Sequence, residues 1–163
     1  MPRAALFLAR FCSSAWIGAA TLFVIVGVRE VTRGGFDAAT KDTLVALRFP
    51  VFYLAGVILI GTALVGTCLA AKCVELSKRR RTISLFALLV VLAVMALDYR
   101  FVYQPLLEMV TPPGVEKPSD FKRYHDTSKY VNLLGLTMTF VSAVALNWPS
   151  RSNMEAASTE PRS

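Results

Sequence analysis

Four apolar stretches, at residues 11–28, 50–71, 83–97 and 130–148, dominate this chain of 163 residues and are parted by joints rich in charge or proline. A helix needs roughly 20 mostly apolar residues to cross a hydrocarbon core of about 30 Å. Inside lipid the backbone must satisfy its own hydrogen bonds. Four helices crossing one bilayer account for most of the chain, and once they are removed no separate soluble domain remains. The expected fold is therefore all-α, an integral membrane four-helix bundle with spans near 11–28, 50–71, 83–102 and 129–148. Residues 1–10 read as a short cytoplasmic amino terminus, residues 11–148 as the transmembrane domain, and residues 149–163 as a disordered tail.

Composition agrees with this reading. With 55% hydrophobic residues and a mean hydropathy of +0.51, the chain is too apolar for a soluble domain of this size. The net charge of +7 does not point to nucleic acid. Its densest run, Lys78-Arg79-Arg80-Arg81, abuts the third apolar stretch as a topology signal does, and no aromatic residue interleaves with it. Cys12, Cys68 and Cys73 have neither metal spacing nor a CxxC pair and read as small hydrophobes. A single histidine, His125, excludes a bis-histidine haem site within one chain. No metal and no cofactor is expected. The first apolar run is longer than a signal core, so it reads as a retained helix.

Counting cations on the two sides of such a bundle gives nine against nine. Density breaks the tie, because residues 72–81 hold five cations in one short loop and such loops resist translocation. Both termini are thus expected in the cytoplasm. A compact chain without targeting features points to a bacterial plasma (inner) membrane. The expected partners are the lipid bilayer and either another membrane protein or further copies of this chain.

Along the chain, Gly34-Gly35 is a break and Asp37 a helix cap. Residues 38–48 read as helical and lead to Pro50, which either opens or kinks a helix. Gly56, Gly61 and Gly66 on the second helix, and Ser14 and Gly18 on the first, offer surfaces for close approach. The third and fourth helices look longer than the membrane. Residues 83–109 and 120–148 would each reach roughly 40 Å, so their hairpin, turning at Thr111-Pro112-Pro113-Gly114, is expected to project beyond the bilayer.

The fourth helix carries a polar stripe: His125, Ser128, Asn132, Gly135, Thr139 and Ser142 recur at spacings of three and four. Lipid-facing surfaces avoid such groups, so the stripe should face the bundle. Counting the rise per residue puts Asp98, Arg100 and Tyr103 at the height of Ser128 and Asn132, with His125 a turn above and Tyr53 at a similar level. Two readings compete. Tyrosine and arginine are normal anchors where helices leave the hydrocarbon. Alternatively, Asp98, Arg100, His125 and Asn132 form an interior network lining an outward-facing pocket that binds or helps move a small ligand. A structural or assembly subunit is the other class. An enzyme is not expected, because no nucleophile–base spacing or metal motif is present.

Several segments carry a family likeness: Ala15-Trp16-Ile17-Gly18, Arg48-Phe49-Pro50-Val51-Phe52-Tyr53, Arg100 with Pro105, and Phe121-Lys122-Arg123-Tyr124-His125 leading to Ser128 and Asn132-Leu133. Together they resemble the transmembrane protein 205-like family, a four-helix group of unknown function, over roughly residues 10–148. The likeness implies a four-span membrane protein and adds Arg123 to the candidate residues. The ligand-site candidates are then Tyr53, Asp98, Arg100, Tyr103, Arg123, His125, Ser128 and Asn132. The family pattern often has glycine after the histidine, where this chain has Asp126. Sulfur-mediated export of platinum drugs, proposed for a eukaryotic relative, finds no track among Cys68, Met95 and Met138.

Overall fold

The first helix, α1, covers Pro2–Thr32, and α2 covers Ala38–Leu69, closed by a 3-10 turn at Ala70–Lys72. Lys78–Asp98 forms α3, and a π turn at Tyr99–Tyr103 joins it to α4, Gln104–Met109, as one rod. The last helix, α5, covers Phe121–Asn147. This computed structural model describes residues 1–149. α1 packs on α2, α2 on α3, α3 on α5, and α5 back on α1, so the four rods close a ring in up-and-down order. The fold is the expected all-α four-helix bundle. All four rods are long and apolar enough to cross a membrane, the architecture of a multi-pass membrane protein.

The distribution of side chains gives the same answer as the lengths. Ser13, Ala63, Thr67, Ser84, Thr139 and Ser142 are fully buried, while Phe7, Phe11, Leu22, Ile25, Leu54, Phe86, Phe101, Leu133 and Phe140 face outward. A water-soluble bundle buries its large apolar residues and does not tolerate such an outer surface. In lipid the preference differs, because small residues let helices approach and hydroxyls bond internally. Ser13 donates to Ala9 O at 2.8 Å, Thr67 to Ala63 O at 2.7 Å, and Ser84 reaches across to Ser142 O at 3.4 Å.

Local chemistry explains most helix boundaries. Asp37 accepts a bond from Thr40 N at 2.7 Å and caps α2. Bonds from Thr40 also hold this carboxyl below its usual range, so the cap stays charged in mild acid. Ser77 caps α3 through Arg80 N at 3.4 Å. Gly114, with φ +84°, turns the loop after α4, and a Cβ there would stand 3.2 Å from Ala39 Cβ.

Several expectations are corrected. Residues 1–10 are not a separate terminus but the first turns of α1, with Leu6 and Ala9 buried in the bundle. Pro50 does not open α2, which runs through it from Ala38. Its ring removes one backbone donor, and the packing of Phe49, Phe52 and Tyr53 against the core holds the helix on either side. The third and fourth rods, at 32 and 27 residues, are longer than a hydrocarbon core of about 30 Å requires, and so are the first two, at 31 and 35. Residues 38–48 therefore rise beside the loop after α4, where Ala39 meets Gly114. Ser14 and Gly18 are exposed, so close approach falls to Gly56 and Gly66. Residues 150–163, most of the expected tail, lie outside the described residues.

The end of the bundle that carries the amino terminus and the 70–77 loop is densely basic: Arg3, Arg10, Lys72 and Lys78 to Arg81 stand there with one acid, Glu75, among the described residues. Part of that charge is structural. Arg80 donates to Ala145 O at 2.8 Å, to Leu146 O at 3.3 Å and to Trp148 O, and Arg10 donates to Leu146 O at 2.8 Å. These carbonyls have no partners within α5, and the cations also suit the negative end of its dipole. Arg80→Ala is expected to cost about 1–2 kcal/mol and to speed amide exchange over residues 144–148. Arg79→Ala should leave that exchange unchanged, and equal effects of the two would refute the capping role.

Candidate functional site

Three inward stripes meet at one level. On α2 the buried positions include Asp42, Tyr53, Gly56, Ile60, Ala63 and Thr67, and on α3 they include Ser84, Leu88, Val91, Met95 and Asp98. On α5 they include Ser128, Gly135, Thr139 and Ser142, with Asn132 half-buried between them. Spacings of three and four residues keep each set on one face.

Where the stripes cross, Asp98 is 2% exposed. Its Oδ2 accepts a hydrogen bond from the Tyr53 hydroxyl at 2.5 Å and a longer one from Asn132 Nδ2 at 3.4 Å. Asn132 is itself fixed by donation to Ser128 O at 2.8 Å and Ser128 Oγ at 3.2 Å. Asp98 Oδ1 and the Tyr103 hydroxyl are both buried without a partner. Among the described residues no basic side chain forms an ion pair with Asp98. A carboxylate away from water normally needs donors to all its lone pairs or a counter-charge. This one has neither complement in full.

An aromatic wall stands against it. Tyr53 meets Tyr99 at 5.1 Å and Tyr103 at 5.3 Å between ring centroids, and Tyr103 stacks on Phe49 at 5.4 Å. Tyr99 and Tyr103, four residues apart across the π turn, both come onto Tyr53. Single π turns inside helices are rare and recur at functional sites.

The candidate residues thus divide. Tyr53, Asp98, Tyr103, Ser128 and Asn132 come together. Arg100, Arg123 and His125 do not. Arg100 is exposed and donates to Gln104 Oε1 at 2.7 Å, because two residues beyond Asp98 the helix has turned it away. His125 is exposed and stacks on Phe121 at 5.8 Å, above the level where α5 is enclosed. Arg123 is exposed.

Two polar groupings near the same end escaped the sequence reading. Asp42, 7% exposed, accepts from Gly114 N at 2.9 Å and from Lys117, tying α2 to the loop after α4. Arg48 pairs with Glu30, donates to Phe23 O at 3.3 Å and lies over the Phe23 ring at 4.7 Å. Asp42 was detectable, since it falls on the α2 stripe eleven residues before Tyr53. Two open grooves, of about 460 and 300 Å³, lie between α1 and α2, and neither lining includes Asp98. Compared with protein families, characterised proteins and solved structures, the chain shows no match.

Proposed function

We propose that the protein is a non-enzymatic multi-pass membrane protein that takes up a small cationic ligand, an ammonium-bearing molecule, in the polar layer around Asp98. The observation that carries this reading is the buried carboxylate with one oxygen free and no basic partner among the described residues. Ionisable groups inside a membrane bundle usually mark ligand or ion paths. The faces of Tyr53, Tyr99 and Tyr103 suit a cation beside the carboxylate. The π turn is the element that yields, since Tyr99, 40% exposed, is the outer ring of the cluster. The dense basic rim lies on the cytoplasmic side, so both termini are cytoplasmic and the Asp98 layer is outward, in a bacterial plasma membrane.

Membership of the transmembrane protein 205-like family is part of the same proposal. Its support is that Tyr53 of the Arg-Phe-Pro-Val-Phe-Tyr segment and Asn132 of the last helix bond to Asp98, that Ser128 holds Asn132, and that Phe49 packs on Tyr53 and Tyr103.

An assembly subunit is the second reading. It is favoured by the absence of Asp98 from both groove linings and by the way Tyr53, Asp98 and Asn132 tie three helices together. The test is thermal unfolding in lipid nanodiscs with tetramethylammonium, against sodium at equal ionic strength. Tetramethylammonium should raise the midpoint of the wild type, Asp98→Asn should abolish the rise, and Arg100→Ala and His125→Ala should keep it. Equal response to both cations, or a response that survives Asp98→Asn, refutes the ligand reading. A stoichiometric membrane partner retained by Asp98→Asn would favour the second.

A further inference from the structure

The larger groove lies between the first turns of α1 and the last turns of α2, lined by Ala5, Leu8, Ile58, Gly61, Val65 and Leu69 among others. It is apolar, and residues 57–69 of α2 run about 18 Å along it. That is close to the hydrocarbon depth of one leaflet, half of a core of about 30 Å. It stops at the basic rim. Arg3 is two residues before Ala5, and Lys72 is one turn beyond Leu69 on the segment that packs against α1.

The two ends of the groove therefore ask for different chemistry. Its length presents apolar surface, with Leu8, Ile58, Val65 and Leu69 each more than two-fifths exposed. Its mouth presents cations in excess. Arg3 shares Glu75 with Arg10 at 3.6 Å, its own side chain 89% exposed, and a pair so open to solvent holds it weakly. Lys72 has no acidic partner among the described residues. Arg80 and Arg81 are engaged by backbone carbonyls, whereas Arg3 and Lys72 lie two and three residues from the lining residues Ala5 and Leu69. Gly61 deepens its floor, where a Cβ would meet nothing within 4 Å.

We propose that this groove holds one acyl chain of an anionic phospholipid from the cytoplasmic leaflet, with the headgroup phosphate between Arg3 and Lys72. The match is of length to one leaflet and of charge to one headgroup. A second copy of this chain would bring the same basic rim against itself and is disfavoured for that reason. The proposal rests on the bilayer placement above and is independent of the Asp98 site.

The experiment reconstitutes the full chain in vesicles of equimolar phosphatidylglycerol and phosphatidylcholine and counts lipid retained in native mass spectrometry after gentle detergent release. The wild type should keep one phosphatidylglycerol per chain. Gly61→Leu should lose it with the thermal midpoint unchanged, because the new side chain fills the groove and strikes nothing. Arg3→Gln/Lys72→Gln leaves the groove intact and should lower the preference for phosphatidylglycerol over phosphatidylcholine by about 25-fold. Undiminished retention by Gly61→Leu, or equal retention of both lipids by the wild type, overturns the proposal. A dimer cross-linked through Gly61→Cys with no lipid retained assigns the groove to a second copy and overturns it too. Wild type that stays monodisperse in buffer without detergent defeats the bilayer placement itself, an outcome distinct from loss of one bound lipid. The tetramethylammonium response of Gly61→Leu should be intact.

Discussion

Gly66→Leu is expected to unfold the bundle far more readily than the same change at either neighbouring glycine of α2. A Cβ at Gly66 would stand 2.8 Å from Ala5 O and 3.2 Å from Ala9 Cβ and Ala9 N. Two of those atoms belong to the backbone of α1, so nothing nearby can rotate aside and the helices must separate. Overpacking of a well-filled core costs about 1–3 kcal/mol. Displacing a backbone takes this site to the top of that range, about a hundredfold in the folded-to-unfolded ratio. At Gly56 the clash is with Met95 Cε and with the Trp16 ring at 2.8 Å, side chains that shift in part. At Gly61 nothing is met. The order of destabilisation should be Gly66 first, Gly56 next, and Gly61 at the wild-type level. Trp16, 4% exposed in the core, reports the transition by fluorescence in mixed detergent micelles. Parity of Gly66→Leu and Gly61→Leu would show that α1 and α2 do not touch as described.

The same three glycines measure what a sequence can say. Spacings of three and four residues identify a face, and so they placed Asn132 between Ser128 and Gly135 on α5. Arithmetic of rise put Asn132, Asp98 and Tyr53 at one height, and they bond there. A face, however, is not an enclosure. His125 obeys the spacing yet is exposed, because nothing in its own register tells how far along α5 the neighbouring helices extend. Arg100 shares the height of Asp98 but lies about 200° around the helix, so height alone misplaced it. Asp42 was hidden by a different error. Treating Pro50 as a possible helix start cut the register of α2 between Asp42 and Tyr53, although α2 carries it unbroken. The π turn was beyond reach, since it leaves no mark in the spacing of residues 98–109. Gly61 and Gly66 look alike in sequence, and only the position of α1 separates them.

Removing the Tyr53 hydroxyl is expected to produce the second large effect. Tyr53→Phe takes the shortest donor from a carboxylate that is 2% exposed and already has one oxygen free. A hydrogen bond to a charged group contributes about 1.5–3 kcal/mol, and the stranded carboxylate should place the loss near the upper figure. Asp98→Leu removes the carboxylate and leaves the Tyr53 hydroxyl unsatisfied at about 1–3 kcal/mol. Asn132 keeps its bonds to Ser128 in either variant. The double variant Tyr53→Phe/Asp98→Leu removes both polar groups together, and apolar replacement of a buried polar pair is often near neutral. Chemical unfolding of the four proteins should therefore show the double variant within about 1 kcal/mol of wild type, well short of the sum of the single losses. Simple additivity would mean that Tyr53 and Asp98 do not interact. The double variant also separates stability from use. If it folds and still responds to tetramethylammonium, the carboxylate serves only to hold three helices in register. If it folds and the response is gone, Asp98 is retained for the ligand, because the fold stands without it.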